Sequence, residues 1–195
     1  MARYTEPIMK RCKALGLEPA VLGVFKKSKR NPKKSNRKKS EYAQQLQEKQ
    51  KAKFIYGVLE KQFRKTYQQA ARLSGQTGEN LMQLLERRLD NVVFRLGIAD
   101  TRAQARQYVT HGHIAVNGKR LDIPSYTVNV GDVITIYETS KKLAPFTDFE
   151  SPLGLPGWLS MEAGEIRGTV LALPAREDYS DIDVKETSIL ELYSK

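Results

Sequence analysis

The stretch HGHIAVNGKRL, residues 111–121, sets His111 and His113, the only two histidines of the chain, on either side of Gly112. Two imidazoles that close could form half of a metal site or a proton-transferring pair. A structural zinc centre needs about four ligands, and a catalytic one about three plus water. The chain's single cysteine, Cys12, lies far upstream, so no metal is expected. Histidine acid–base catalysis needs a carboxylate or nucleophile partner in an enclosed pocket. Asp122 falls close by, yet facing charges across a hairpin are an ordinary cross-strand pair. No glycine-rich phosphate loop, nucleophile elbow or framed pair of carboxylates is present. The chain reads as a protein without a cofactor and not as an enzyme.

What surrounds the histidines is positive charge. Net charge is +11 over 195 residues, which points to a polyanionic partner. Residues 1–120 carry 27 Lys and Arg against 9 Asp and Glu, a net +18, whereas residues 121–195 carry 6 against 13, a net −7. The first part is suited to lie on phosphate, and the second to meet basic protein or to face away. No apolar run approaches the ~18–20 residues that span a bilayer, and the N-terminus lacks a secretory core. A cytoplasmic protein with no membrane partner is expected.

Stepping outward, a basic N-terminal extension is expected over residues 1–39. Nine of the fourteen residues at 26–39 are basic and none is acidic, so alone this run should be extended until phosphate orders it. From Ser40 to about Ser74 the text is helical, with Ser40 as N-cap and Gly57 either dividing the segment or marking a close contact. ENLMQLLERRLDNVVFRLG, residues 79–97, reads as one amphipathic helix, its apolar stripe Leu81, Leu85, Leu89, Val92, Val93 and Leu96 flanked by Arg87, Arg88, Asn91 and Arg95. Thr101 with Gln104 forms a capping box that opens another helix, and Gly112 stops it. Arg102 and Arg106 share one face of that helix.

IAVNGKRL then reads as a hairpin with Asn117–Gly118 as its type I′ turn. YTVNVGDVITIYE suggests two strands around Gly131–Asp132. Residues 140–157 read as a loop, and GTVLAL as a further strand before an acidic stretch and a short apolar end.

Arginine forks phosphate and stacks on bases, and histidine at a helix end can donate to phosphate or stack on bases. The expected nucleic-acid contacts are therefore Arg87, Arg88, Asn91, Arg95, Arg102, Arg106, His111, His113, Asn117, Lys119 and Arg120. Arg3, Lys10, Arg11, Lys26, Lys27, Lys29, Arg30, Lys33, Lys34, Arg37, Lys38 and Lys39 join them from the N-terminal extension. Each could be an ordinary solvated charge; their accumulation on consecutive short elements favours RNA. A groove-reading DNA regulator is the competitor, but the charge spreads over most of 120 residues and no dimer helix is visible. An RNA-modifying enzyme is the other alternative. The tripeptide RLD at 88–90 is similar to one that carries the catalytic aspartate of some pseudouridine synthases, but Asp90 falls in an amphipathic helix and no large catalytic domain surrounds it.

From MARY through SEYAQQLQEKQKAKFIYGVLEKQF, the block GENLMQLLERRLDNVVFRLGIADTRAQARQYVTHGHIAVNGKRLDIPSYTVNVGD and GTVLALPAREDYSDIDVKETSILELYSK, almost the whole chain resembles the bacterial and organellar family of small ribosomal subunit protein four. The resemblance implies an α+β fold: an N-terminal helical domain over 40–86, completed by 158–195, and an RNA-binding domain over 87–150 with a helix-turn-helix-like pair on an antiparallel sheet. The C-terminal tail is implied to return to the helical domain. The resemblance also implies primary assembly onto the 5′ domain of small-subunit rRNA, a place beside small-subunit protein five near the mRNA entrance, and an influence on decoding accuracy. The family's RNA-contacting helix pair falls on Arg87, Arg88, Arg95, Arg102 and Arg106, and its hairpin region on His111, His113, Asn117 and Lys119. Many relatives carry a zinc-binding cysteine cluster near the N-terminus; this chain has only Cys12 there, so zinc is not expected.

Overall fold

A computed structural model describes residues 7–25, 40–147, 149, 154–162 and 164–194. The chain divides into two compact units, Met1–Met82 with Asp181–Lys195, and Gln83–Ser180. The first unit is helical. Its α1 (Ile8–Leu15) buries Cys12 and Leu15, which gives residues 7–25 a folded place inside what the charge alone suggested was an extension. The Leu15 carbonyl accepts a hydrogen bond from Gln47 Nε2 at 2.8 Å. That glutamine belongs to α2 (Glu41–Ile55), whose N-cap Ser40 accepts from the Ala43 amide.

Gly57 does divide the segment. At φ +60° it follows the end of α2, where Gly57 N donates to Phe54 O and Val58 N to Lys53 O. This is a Schellman stop, and α3 (Glu60–Ala70) begins afresh beyond it. Phe63 and Ala70 of α3 are fully buried. The last helix, α8 (Glu186–Ser194), packs on α2: Glu191 accepts from Gln45 at 2.9 Å and Glu48 from the Lys185 amide at 3.0 Å. Helix α4 (Thr77–Glu86) supplies Leu81 and Met82 to the buried apolar set. The Tyr193 ring of α8 stacks on Tyr67 with centroids 4.6 Å apart.

The second unit is α+β. Helices α5 (Leu89–Arg95) and α6 (Arg102–Thr110) accompany an antiparallel sheet of β1 (Ile114–Val116), β2 (Lys119–Arg120), β3 (Val133–Ile136), β4 (Leu159–Met161) and β5 (Arg167–Val170), in the order β2-β1-β3-β5-β4. Leu89, Val92 and Val93 of α5 with its C-cap Leu96, Ala105 and Val109 of α6, and Ile114, Ile134, Val170 and Trp158 share one core. Burial of this apolar stripe is what fixes the helix pair on the sheet.

Four expectations are corrected. The single helix over 79–97 is broken at Arg87–Arg88, because the segment 124–128 claims the backbone there: Val128 N donates to Arg87 O, Leu89 N to Tyr126 O and Asp90 N to Pro124 O. For the same reason YTVNV forms no strand; it offers one isolated bridge, Thr127 with Arg88, and only β3 follows Gly131. The loop over 140–157 contains the single-turn helix α7 (Ala144–Thr147), which seats Phe146 in the core. Finally, residues 158–180 do not complete the helical domain. Their strands β4 and β5 extend the sheet through β3, and only Asp181–Lys195 groups with the first unit.

Candidate nucleic-acid interface

The joint between α6 and the hairpin is built by local rules. The Thr101 hydroxyl accepts from Gln104 N at 3.2 Å, and Gln104 Oε1 accepts from Asp100 N at 3.0 Å, a capping box shifted by one residue. At the far end Gly112, with φ +72°, lets Gly112 N reach Val109 O and His113 N reach Tyr108 O. The chain turns straight into β1. Asn117 and Gly118 hold φ of 51° and 77°, as a type I′ turn demands. Ala115 then pairs with Arg120, and Leu121 N donates to Ile114 O at 3.1 Å.

This joint presents exposed His111, Lys119 and Arg120 and half-buried His113 on consecutive elements. Arg120 lies over Gly112 so closely that a Cβ there would collide with its guanidinium. Its Nη2 donates to the His111 carbonyl at 3.2 Å, and its head sits 5.7 Å above the Tyr137 ring. The two imidazoles meet edge to face with centroids 5.9 Å apart. Burial, together with the charges of His111 and Arg120, lowers the His113 pKa from its usual value.

The arginines of the helix pair behave otherwise. Glu86, fully buried, accepts from Asn91 Nδ2 at 2.8 Å and from Arg95 Nε and Nη2 at 3.0 and 3.1 Å. Arg88 forks onto Asp90 through contacts of 3.1 and 2.8 Å. Arg102 donates to Asn91 Oδ1 at 2.8 Å and lies 4.3 Å above the Phe94 ring. Arg88, Asn91 and Arg102 are nearly inaccessible and the Arg95 side chain is 10% exposed. These four residues, expected to contact phosphate, are interior groups, three of them bonded to the two carboxylates and Arg102 to Asn91. Asp90 is thereby an ion-pair partner in the interior. Arg106, 3.6 Å from Asp90 and with its side chain 31% exposed, is the member of the cluster that reaches the surface.

Two further expected contacts also serve the scaffold. Asn117 spends its amide on Asp132 Oδ1 at 2.8 Å and its carbonyl oxygen on the Val133 amide at 2.9 Å. Arg87 is held by Val128 O at 2.9 Å and Asn129 Oδ1 at 2.8 Å. Burial lowers its guanidinium pKa, with Asp132 opposing that shift.

In the first unit Lys10 is exposed, and Arg11 reaches Gln50 at 3.5 Å. Arg3, Lys26, Lys27, Lys29, Arg30, Lys33, Lys34, Arg37, Lys38 and Lys39 lie outside the described residues. A basic face missing from the sequence reading stands on α3, where Lys61, Arg64 and Lys65 are exposed along a shallow depression shared with Glu60 and Gln68. Its signal was the i, i+3, i+4 spacing of those cations around the buried Phe63. Among the described residues, no group of three or more His, Cys, Asp or Glu side chains is placed to hold a metal, and Cys12 is buried.

Two family models match the chain. Residues 3–86 match the ribosomal protein S4/S9 N-terminal domain, and residues 87–134 match the S4 domain. The chain is 54% identical to the small ribosomal subunit protein uS4 of Lachnospira eligens and 50% identical to that of Fusobacterium nucleatum. It is 48% identical to the one from Chloroflexus aurantiacus, and all three alignments cover 100% of both chains.

Proposed function

The chain belongs to the family of small ribosomal subunit protein uS4, and from that premise we propose how its surface takes hold of RNA. As a member of that family it is a structural, non-enzymatic component of the small ribosomal subunit, with an RNA-binding domain that engages rRNA. The contact we infer is the joint of His111, His113, Lys119 and Arg120 with Arg106 beside it, reinforced by Lys10, Arg11 and the face Lys61, Arg64, Lys65 on the helical unit. The observation that carries this reading is the division of the cations. Two buried carboxylates hold Arg88, Asn91 and Arg95 inside, with Arg102 joined to Asn91, whereas His111, Lys119 and Arg120 stand exposed where α6 turns into the hairpin.

Mechanistically, the buried hydrogen bond from Arg102 to Asn91 ties α6 to α5, and the type I′ turn fixes the hairpin. The exposed cations therefore meet phosphates without reordering, displacing counterions as they do so. Arg3 and the basic run from Lys26 to Lys39 add sequence-independent attraction. The RNA we assign is the 5′ domain of small-subunit rRNA, bound early in assembly of cytoplasmic ribosomes. The net −7 over residues 121–195 suits a basic neighbour. We assign that role to small-subunit protein five, beside the mRNA entry path, with a consequence for decoding accuracy.

Footprinting on naked small-subunit rRNA tests the surface. Arg106→Ala with Arg120→Ala should erase protections and weaken binding, and the paired loss of two phosphate contacts should lower the slope of log affinity against log salt by about two. An unchanged footprint and slope would sink this placement.

A further inference from the structure

His113 is enclosed by groups from every element that meets it. Tyr108 of α6 lies edge-on with centroids 6.2 Å apart, Phe146 of α7 at 5.9 Å, and His111 at 5.9 Å. Arg120 of β2 adds a fixed positive charge. From the turn Glu138–Ser140, the buried Ser140 hydroxyl sits 2.9 Å from His113 Nδ1. That hydroxyl can donate to a bare Nδ1 or accept from a protonated one, so the ring keeps its orientation in either charge state. Nε2 is then the nitrogen through which the ring can engage an anion.

We propose that His111 and His113, braced by Arg120 and Ser140, form a proton-linked phosphate contact in which binding of RNA is accompanied by uptake of a proton on His113. In the free protein, partial burial, with His111 and Arg120 close by, opposes a charge on His113. A phosphate oxygen brought to the joint reverses the balance, because an anion within hydrogen-bonding reach favours the imidazolium. Linkage then requires that RNA binds more tightly as pH falls through the interval between the free and bound values of His113. Arg120 and Lys119 attract the phosphate at every pH; the histidines make the grip graded. This inference rests on the RNA-contacting role of the joint and adds its regulation by pH.

The test is the affinity of the full-length protein for a small-subunit rRNA transcript from about pH 8 to about pH 5.5 at fixed ionic strength. Calorimetry in two buffers of different ionisation enthalpy counts the protons. The wild type should bind up to about tenfold more tightly at the acid end and take up close to one proton per complex. His113→Gln, whose amide can still meet Ser140, and the exposed His111→Gln should each flatten the profile, and the double variant should bind with no proton uptake attributable to the protein. Thermal melts of each variant verify folding. Because RNA bases also titrate, the decisive quantity is the difference in slope between wild type and double variant. Equal slopes, or no proton uptake by the wild type, overturn the proton linkage while leaving the RNA-contacting role intact. Absence of rRNA binding at any pH overturns that role itself.

Discussion

Two clusters of cations in the second unit do opposite things. Between Glu86 and Arg106, arginines sit under protein and spend their donors on carboxylates and amides. Between His111 and Arg120, the cations stand over backbone and aromatic rings and keep their charge outward. What separates them is the presence of an acidic residue at the right depth. Glu86 and Asp90 are buried at 0% and 4% exposure, and a charge at that depth is tolerated only with a paired, well-oriented partner. At the joint His113 bonds Ser140 and Arg120 bonds the His111 carbonyl, neither of them a carboxylate, so the charge remains available.

The largest effect should come from the buried side. Glu86→Ala leaves Arg95 without its carboxylate and Asn91 with only the backbone carbonyl of residue 86 as acceptor. Removing one member of a buried pair costs about 3–5 kcal/mol, so urea unfolding should shift by that amount, and rRNA affinity should fall only as folding falls. If Glu86→Ala melted like wild type while losing RNA, the distinction between interior and surface would fail.

Asp132 is the next. It accepts from Asn117 Nδ2 and from the Asn129 amide, both at 2.8 Å, and so ties the hairpin tip to the turn before β3. Asp132→Ala leaves two part-buried donors without their acceptor and should cost about 1 kcal/mol, with hydrogen exchange at Val133 rising first. On the exposed side, Lys119→Ala should leave the unfolding midpoint within about 0.5 kcal/mol of wild type. It should lower the salt slope of rRNA binding by about one. A stability loss larger than that would place Lys119 in the scaffold.

The unequal legibility of these regions has physical causes. Caps and turns act through their own neighbours, so Ser40, Thr101, Gly112 and Asn117–Gly118 announced their elements directly. The apolar stripe from Leu81 to Leu96 revealed a buried face, but not the break within it, because the interruption comes from backbone donors paired with the distant segment 124–128. Strands β4 and β5 were assigned to the wrong domain for a similar reason: sheet order is a long-range property, and the acidic C-terminal composition said nothing of register. At the candidate site, positive charge marked a stretch of chain and no more. It could not sort Arg88, Arg95 and Arg102 from Lys119 and Arg120, since an arginine facing a buried glutamate and one facing solvent look alike in sequence. Arg87 and Asn117 were likewise indistinguishable from free surface groups until Val128, Asn129 and Asp132 were seen beside them.

The smallest expected effect extends the comparison to the first unit. Glu60, at the start of α3, receives Lys53 Nζ at 2.7 Å, Lys49 Nζ at 2.9 Å and the Tyr193 hydroxyl at 2.9 Å. Burial would raise its carboxyl pKa, but the hydrogen bonds from Lys53, Lys49 and Tyr193 prevail and hold it at about 2. Here a carboxylate again removes cations from a basic surface, yet its side chain is 47% exposed, so solvent screens the pair and its worth stays at or below about 1 kcal/mol. The folded-state pKa lies below that of an unfolded glutamate, about 4.3. The contribution is therefore complete above that value and is lost as pH falls through about 2. Acidification should release the Tyr193 hydroxyl and loosen its stack on Tyr67, which the tyrosine ring resonances would report by nuclear magnetic resonance. Glu60→Gln should remove this acid transition and free Lys49 and Lys53 beside the α3 face, so rRNA binding at neutral pH should tighten slightly. A weaker complex from Glu60→Gln would instead mean that the clasp on α8, and not the count of free cations, governs what the helical unit offers to RNA.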